Sequence, residues 1–157
     1  MFTNILVPFD GSESASRALA MAIEIATGLE PVDVTVLQVA SMSEFDYSSF
    51  EVAMRMAGLD PTDETQLKEV RDNYMSVHDE KAQERIENYF NNLPENINLK
   101  IVVKHGSPRD IIVDYAKDND IDCIIMGRRG VTGIRATLGS VSTYVLRNTD
   151  LPVLVVK

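Results

Sequence analysis

A glycine-rich segment at residues 127–142, GRRGVTGIRATLGSVS, contains the residues best suited to chemistry in this chain. It follows an apolar run at residues 123–126 that predicts a buried strand. Its last residues, 139–142, predict the start of a helix with a serine cap. Glycine lets the backbone approach a ligand closely, and the N–H groups and dipole of a helix N-terminus attract an anion. The segment therefore predicts a phosphate-binding loop.

The charge of the chain sets a condition on such a site. The net charge is −9, which argues against non-specific nucleic-acid binding and requires local positive charge around a bound anion. Arg128, Arg129 and Arg135 lie in the loop and are candidates for that charge. Two alternatives remain open. In one, the arginines are ordinary solvated charges; in the other, the loop is a surface crossover that binds no ligand.

The single cysteine and the N-terminal residues indicate the cellular compartment of the protein. The single cysteine, Cys123, lies in an apolar run, so we expect no internal disulfide and no multi-cysteine metal site. The first residues lack the basic start and long apolar core of a signal peptide, and no apolar run is long enough to span a bilayer. We expect a cytoplasmic protein that binds neither membranes nor nucleic acid.

Five apolar runs, separated by helical segments, must position the loop. The patterns predict strands at residues 4–8, 32–39, 97–104, 121–126 and 151–156. They predict helices at about residues 15–29, 61–91, 108–117 and 141–147. Pro8 is expected to end the first strand, Asp60 to cap the second helix and Ser107 the third. Residues 41–60 lack a clean period and predict a loop or a short helix.

This alternation predicts an α/β protein: a single-domain, open five-stranded parallel sheet with helices on both faces, Rossmann-like. Ligands of such sheets bind at the carboxyl ends of strands where the strand order reverses. If strands one and four are neighbours, Asp10 faces the loop that begins at Gly127. Asp10 has an alternative role as a cap of the first helix, which Ser12 or Ser14 can also provide.

The chain resembles the universal stress protein family, of the UspA type, over essentially its full length, residues 1–157. The resemblance lies in ILVPFDGS at the start, HGSP before the third helix, the strand IDCIIMG and the ending GSVSTYVLRNTDLPVLVVK. It implies one universal stress protein domain with an adenine nucleotide alpha hydrolase-like fold. Nucleotide-binding members have Gly, two residues, Gly, nine residues, then Gly-Ser or Gly-Thr. Here Gly127, Gly130 and Gly139-Ser140 match, with eight residues in the longer interval.

The resemblance also implies roles for residues that would surround the adenosine part of ATP. Asp10 would hydrogen-bond the ribose or the adenine. Pro8 and Val39, at the ends of strands one and two, would line the adenine pocket. Met126 and Gly127 would pack near the ribose.

A second implied set would hold the phosphates. Its members are backbone N–H groups and hydroxyls at the two ends of the loop: Gly130, Gly139, Ser140, Val141 and Ser142. Arg129 would add positive charge, and a divalent cation such as Mg²⁺ would bridge phosphates. AMP and ADP are alternatives to ATP as the bound nucleotide.

The implied function is an ATP-binding regulatory protein of the stress response. It would act as a homodimer joined through Val153–Val156, with a regulatory protein as a further partner and little or no hydrolysis. The P-loop, GxGxxG, GxSxG and HExxH motifs are absent, so an enzyme is not expected. His105 is expected in a turn without a catalytic role. Two alternatives remain open: a nucleotide-independent protein-interaction module of the same family, and a slow ATPase.

Overall fold

Five strands and five helices make up the described part of the computed structural model, which covers residues 2–40, 47–87, 90, 93–129 and 138–157. The strands are β1 (Asn4–Phe9), β2 (Val32–Ala40), β3 (Ile97–His105), β4 (Cys123–Gly127) and β5 (Val153–Val156). The helices are α1 (Glu13–Thr27), α2 (Tyr47–Met56), α3 (Glu64–Glu87), α4 (Pro108–Asp118) and α5 (Ser140–Asn148). None of the described helices is long and apolar enough to cross a bilayer.

The five strands form one parallel sheet in the order β3-β2-β1-β4-β5. The predicted fold class is therefore confirmed. β1 pairs with β4 at Ile5–Cys123 and Leu6–Ile124, and with β2 along its whole length. The chain runs from β1 through β2 to β3 at one edge and then crosses to β4 on the other side of β1, so the strand order reverses between β1 and β4. This is the switch point at which α/β sheets bind ligands.

Two apolar cores lie on opposite faces of the sheet, because consecutive strand residues point to opposite sides. Ile5 and Val7 of β1 pack toward α1 and α3 in one core, whereas Leu6 packs toward α4 and α5 in the other. β4 alternates in the same way, with Cys123 and Ile125 in the first core and Ile124 and Met126 in the second. Strands covered on both faces explain the nearly continuous apolar runs in the sequence.

Cys123 is a core residue with a neutral thiol. It is 3% exposed, and burial, with a smaller contribution from the Asp122 carboxylate, raises the pKa of the thiol to about 11. The thiolate is the reactive form of cysteine, so this side chain is inert at neutral pH.

The predicted helix starts were right for α1 and wrong for α3. Ser12 caps α1, and its hydroxyl accepts the N–H of Ala15 at 3.2 Å. Asp60, however, does not cap α3, because its carboxylate is bound to Thr62 in a preceding turn. The Asp63 carboxylate instead accepts the N–H of Thr65 at 2.9 Å. The cap is therefore Asp63, which lies directly before the helix, and not Asp60, which was predicted because Pro61 follows it.

Pro8 does not end the first strand, which continues to Phe9. Pairing with β4 stops at Leu6, so Pro8 and Phe9 have a strand neighbour only on the β2 side, opposite Leu37 and Gln38. A proline without an N–H is tolerated where one side of the strand is open. β1 therefore projects beyond its pairing with β4.

Residues 41–60 agree with one of their two predicted structures, whereas His105 differs from its prediction. Of residues 41–60, residues 47–56 form α2, the short helix that was one of two predictions, while residues 41–46 lie outside the described part. His105 is the last residue of β3 and not part of a turn. Its Nε2 atom lies 2.9 Å from Oδ1 of Asp79, which attaches α3 to the edge strand.

Candidate functional site

The carboxyl ends of β1 and β4 lie side by side, as the strand order requires. Asp10 follows β1 directly and is exposed, while Gly127 is the last residue of β4. Arg128, Arg129 and the start of α5 therefore lie at the same edge of the sheet as the Asp10 turn, where ligands of such sheets bind in a crevice. The predicted meeting of these two segments is confirmed at the level of strand pairing.

The N-terminus of α5 carries main-chain N–H groups without a side-chain cap. Gly139 occupies the cap position, and no side chain among the described residues caps the helix, so the predicted serine cap is wrong. The first intrahelical bond runs from Thr143 N to Gly139 O at 2.9 Å. The N–H groups of Ser140, Val141 and Ser142 come before it and have no intrahelical partner. These donors suit an anion.

The hydroxyl of Ser142 holds the two ends of the loop together. Ser142 is 2% exposed, and its Oγ donates to the carbonyl oxygen of Arg128 at 2.9 Å and lies 3.1 Å from that of Gly139. The N–H of Gly139 donates to the same Arg128 oxygen at 2.9 Å. The predicted contact of this hydroxyl with phosphate stays a prediction. In the first turn of α5, Ser140 is exposed, whereas Ser142 is buried.

The peptide groups of Arg128 and Arg129 are fixed by three different elements. The N–H of Arg128 donates to Val156 O in β5 at 2.7 Å. The carbonyl oxygen of Arg129 accepts a hydrogen bond from Ser14 and lies 3.3 Å from Oγ of Ser12, both at the start of α1. β5, α5 and α1 thus define where the loop begins.

Gly127 has no room for a side chain. A Cβ atom built on it would lie 2.6 Å from Ser14 Oγ, 2.7 Å from Ser14 C and 2.8 Å from Ala15 N. The end of β4 therefore packs directly on the first turn of α1. This contact brings Ser14 within reach of the Arg129 carbonyl.

The residues predicted to surround adenosine lie at the carboxyl ends of β1, β2 and β4. Pro8 is buried opposite Leu37, and Val39 is partly buried beside the core under α4 and α5. Met126 is only 4% exposed, so its side chain is mainly a core residue. Asp10 accepts the N–H of Ser12 through Oδ1 at 3.0 Å, which leaves the other carboxylate oxygen for a hydroxyl or amino group.

Positive charge near the loop comes from Arg128 and Arg129. Both are partly buried, and Nε of Arg128 is buried without a hydrogen-bond partner in the described part of the chain. Gly130 and Arg135, predicted to bind phosphate and to add charge, lie outside the described residues.

A cluster that the sequence did not indicate joins the first turn of α4 to the middle of α5. The Tyr144 hydroxyl donates to Asp110 Oδ1 at 3.0 Å, and the Arg109 guanidinium lies 5.4 Å from the centre of the Tyr144 ring. Hydrogen bonds from the Ser107 and Tyr144 hydroxyls lower the pKa of Asp110, and the Asp110 contact raises the pKa of Tyr144. Ser107 is at the predicted cap position but binds Asp110 instead of the α4 backbone.

Groups of acidic, histidine and cysteine side chains suited to a metal ion are absent from the described residues. A polar depression of about 660 Å³ lies at the opposite, amino edge of the sheet, lined by residues such as Asn4, Asp33 and Asn98. It is separated from the crevice by the length of the strands. The chemistry of the site is therefore that of main-chain N–H donors, one carboxylate and nearby arginines.

Comparisons with known proteins agree on one family. The model of the universal stress protein family matches residues 1–157. Universal stress protein MJ0577 of Methanocaldococcus jannaschii is 33% identical over 161 residues, covering 100% of this chain and 96% of the relative. The structure of UspA from Lactobacillus plantarum has a TM-score of 0.73 at 27% identity, covering 99% and 98% of the two chains. A universal stress protein in complex with cAMP has a TM-score of 0.54 at 22% identity over 99% and 96%, which supports the fold alone.

Proposed function

Because the chain belongs to the universal stress protein family, we propose that it is a cytoplasmic regulatory protein of the stress response that binds ATP. Its regulatory output depends on nucleotide occupancy and not on turnover. The ligand biases the protein toward a partner-binding state only if it binds that state more tightly than the other. ADP and AMP compete for the same site with fewer phosphate contacts.

The observation that carries this proposal is the uncapped start of α5 at the switch point. Three successive N–H groups, at Ser140, Val141 and Ser142, point from the first turn of a helix whose cap residue is glycine. An uncapped helix end is satisfied by water, by a side chain or by a ligand, and an anionic ligand also gains from the helix dipole. The net charge of −9 makes such a local donor set necessary for binding a polyphosphate.

The residues fit ATP in the following way. The phosphates bind the α5 N–H groups and the loop, with Arg129 adding charge. Asp10 accepts a hydrogen bond from the ribose or the adenine, and Pro8 and Val39 contact the base. Since no acidic cluster is present among the described residues, Mg²⁺ would be held mainly by the phosphates and water, where it neutralises charge.

Binding of ATP should stabilise the protein against heat. At a ligand concentration of a hundred times Kd, the free energy of unfolding increases by about 2.7 kcal/mol. For a domain of this size, that corresponds to an increase in Tm of about 5–10 °C. Thermal unfolding followed by circular dichroism, with and without ATP and Mg²⁺, measures the shift.

Adenosine and GTP are the controls in the same experiment. Adenosine lacks the phosphates, so it should give a much smaller shift than ATP at equal concentration. An equal Tm shift with GTP would show that the site does not select adenine, which contradicts the proposed contacts with the base. The absence of a shift with every nucleotide would refute the proposed function. Initial rates of ADP formation from ATP separate a binding protein from the slow-ATPase alternative.

We also propose that two copies associate through β5. This strand is at the edge of the sheet, pairs with β4 on one side, and carries the 41% exposed side chain of Leu154. An apolar edge strand readily pairs with another chain. Leu154→Lys should weaken the dimer by at least about tenfold, because a charge would be buried at the interface without a partner.

Sedimentation velocity over a range of concentrations measures this association. Val77→Lys is the matched control, since Val77 is 48% exposed on α3, which packs against the opposite edge strand. The proposal fails if the wild-type chain is monomeric, or if both variants dimerise equally well.

A second candidate function, a nucleotide-independent interaction module, is favoured by one observation. Apolar side chains are exposed on α2 and α3: Val52, Met56, Tyr74 and Val77, with Met56 85% exposed. Such exposure is typical of surfaces that bind other proteins. This candidate predicts no thermal shift with ATP, so the experiment above separates the two functions.

A further inference from the structure

We infer that Ser14 is a positioning residue of the nucleotide site: its hydroxyl holds the Arg129 carbonyl and so sets the path of the glycine-rich loop into the site. The inference rests on the proposed nucleotide-binding function and assigns a role to a residue outside the loop. Ser14 is separated from Arg129 by 115 positions and lies in the first turn of α1.

The contact is built by close packing of the main chain. Gly127 leaves no space for a Cβ atom beside Ser14, so the end of β4 lies directly against the first turn of α1. Two residues later, the Arg129 carbonyl oxygen meets the Ser14 hydroxyl. A planar peptide is oriented as a unit, so holding its carbonyl oxygen also fixes the plane of the peptide bond that leads out of Arg129.

The neighbouring carbonyl is held from the other side of the crevice. The Arg128 oxygen accepts hydrogen bonds from Gly139 N and Ser142 Oγ, both at 2.9 Å. Successive carbonyl groups are therefore fixed by α5 and by α1. The segment proposed to bind phosphate follows this doubly fixed pair directly in sequence, so the direction in which the chain leaves Arg129 depends on both serine hydroxyls.

Among these serines, Ser14 offers the cleanest test. Ser12 also accepts the N–H of Ala15 as the cap of α1, so its removal would destabilise the helix. Ser142 is itself predicted to contact phosphate. Among the described residues, the Ser14 hydroxyl contacts the Arg129 carbonyl oxygen and lies 3.4 Å from the Ser12 hydroxyl. The Ser14→Ala substitution should preserve α1, because alanine has the highest helix propensity of all residues.

The experiment compares the wild-type chain, Ser14→Ala and Ser16→Ala by calorimetric titration with ATP and with adenosine. Ser14→Ala should bind ATP about tenfold more weakly, the value of one hydrogen bond, and adenosine with unchanged affinity. Ser16→Ala removes a hydroxyl from the same helix that donates to Ser12 O at 3.1 Å, away from the loop. It should bind both ligands as the wild type does.

The loss for ATP but not adenosine is the signature of a role in positioning the loop. Equal ATP affinity in Ser14→Ala and the wild type would overturn the inference while leaving the proposed function intact. Equal losses for ATP and adenosine would also overturn it, because a general disturbance of the fold acts on both. If the wild-type chain binds no ATP, the proposed function fails and the inference fails with it.

Discussion

Replacing Gly139 by valine should abolish measurable ATP binding and leave the fold intact. A Cβ atom at this position would lie 3.1 Å from Arg128 O and 3.3 Å from Arg129 Cα. The branched side chain of valine adds two methyl groups to this tight contact. The first turn of α5 must then separate from the start of the loop, and the hydrogen bond from Gly139 N to Arg128 O, now 2.9 Å, is lost.

The expected loss of ATP affinity is more than about 100-fold, which corresponds to about 2.8 kcal/mol of binding free energy. The backbone of Gly139, with φ −65° and ψ 157°, is open to any residue, so folding itself is not blocked. Loss of a favourable cap residue costs only about 1 kcal/mol. Calorimetric titration with ATP measures the affinity, and circular dichroism measures the fold.

Gly28→Val is the control for Gly139→Val. Gly28 is the cap residue at the C-terminus of α1, and a Cβ atom there meets only Ile25 O at 3.8 Å. This variant should bind ATP normally. Retention of ATP by Gly139→Val at wild-type affinity would contradict the site, because the α5 N–H groups would then be uninvolved.

A smaller substitution, Gly127→Ala, should destabilise the fold itself. The added Cβ atom would meet one side-chain atom and two main-chain atoms of α1 at 2.6–2.8 Å. Overpacking of a close contact costs about 1–3 kcal/mol. The corresponding decrease in Tm is about 2–12 °C for a domain of this size, and urea unfolding should show a lower midpoint with an unchanged slope.

The double variant Gly127→Ala with Ser14→Ala tests the cause of this destabilisation. Removing the Ser14 hydroxyl eliminates one of the three contacts, while Ser14 C and Ala15 N remain at 2.7 and 2.8 Å from the new atom. The double variant should therefore stay destabilised. Gly28→Ala provides the control and should unfold at the wild-type urea concentration. Wild-type stability of Gly127→Ala would show that α1 shifts freely away from β4.

The sheet and its switch point were predictable from the sequence, because strands buried on both faces have nearly continuous apolar runs. The runs at residues 4–8, 32–39 and 121–126 correspond closely to β1, β2 and β4. The strand order itself was not predicted: that strands one and four are neighbours was a condition of the argument, and the pairing of β1 with β4 meets it. The position of Asp10 beside the loop followed from that order.

The contacts that shape the site were not predictable in the same way. Gly127 was interpreted as a ligand-facing glycine of a phosphate loop, whereas its missing side chain also makes room for the first turn of α1. Ser14 was interpreted only as a possible helix cap. Its contact with Arg129 depends on how closely β4 and α1 approach each other, and residue type and spacing contain no information about that distance.

The same limit applies to the outer helices. The pairing of Asp79 with His105 joins residues 26 positions apart whose contact depends on the register of α3 over β3. The Asp63 cap of α3 differs from the predicted Asp60 because both aspartates near the helix start satisfy the same rule. Sequence patterns identify candidate caps, and the competition among them is decided by the turn that precedes the helix.

The central position of β1 has a consequence for the ribosome-bound chain. β1 is made first, and its neighbour β4 is made late: Thr3 and Asp122, which are hydrogen-bonded beside these strands, are 119 positions apart. On the β4 side, the main-chain groups of β1 therefore lack a strand partner until β4 has been synthesised. The order in which the strands are synthesised differs from their order in the sheet, and the pairing at its centre forms only after β2 and β3 have been made.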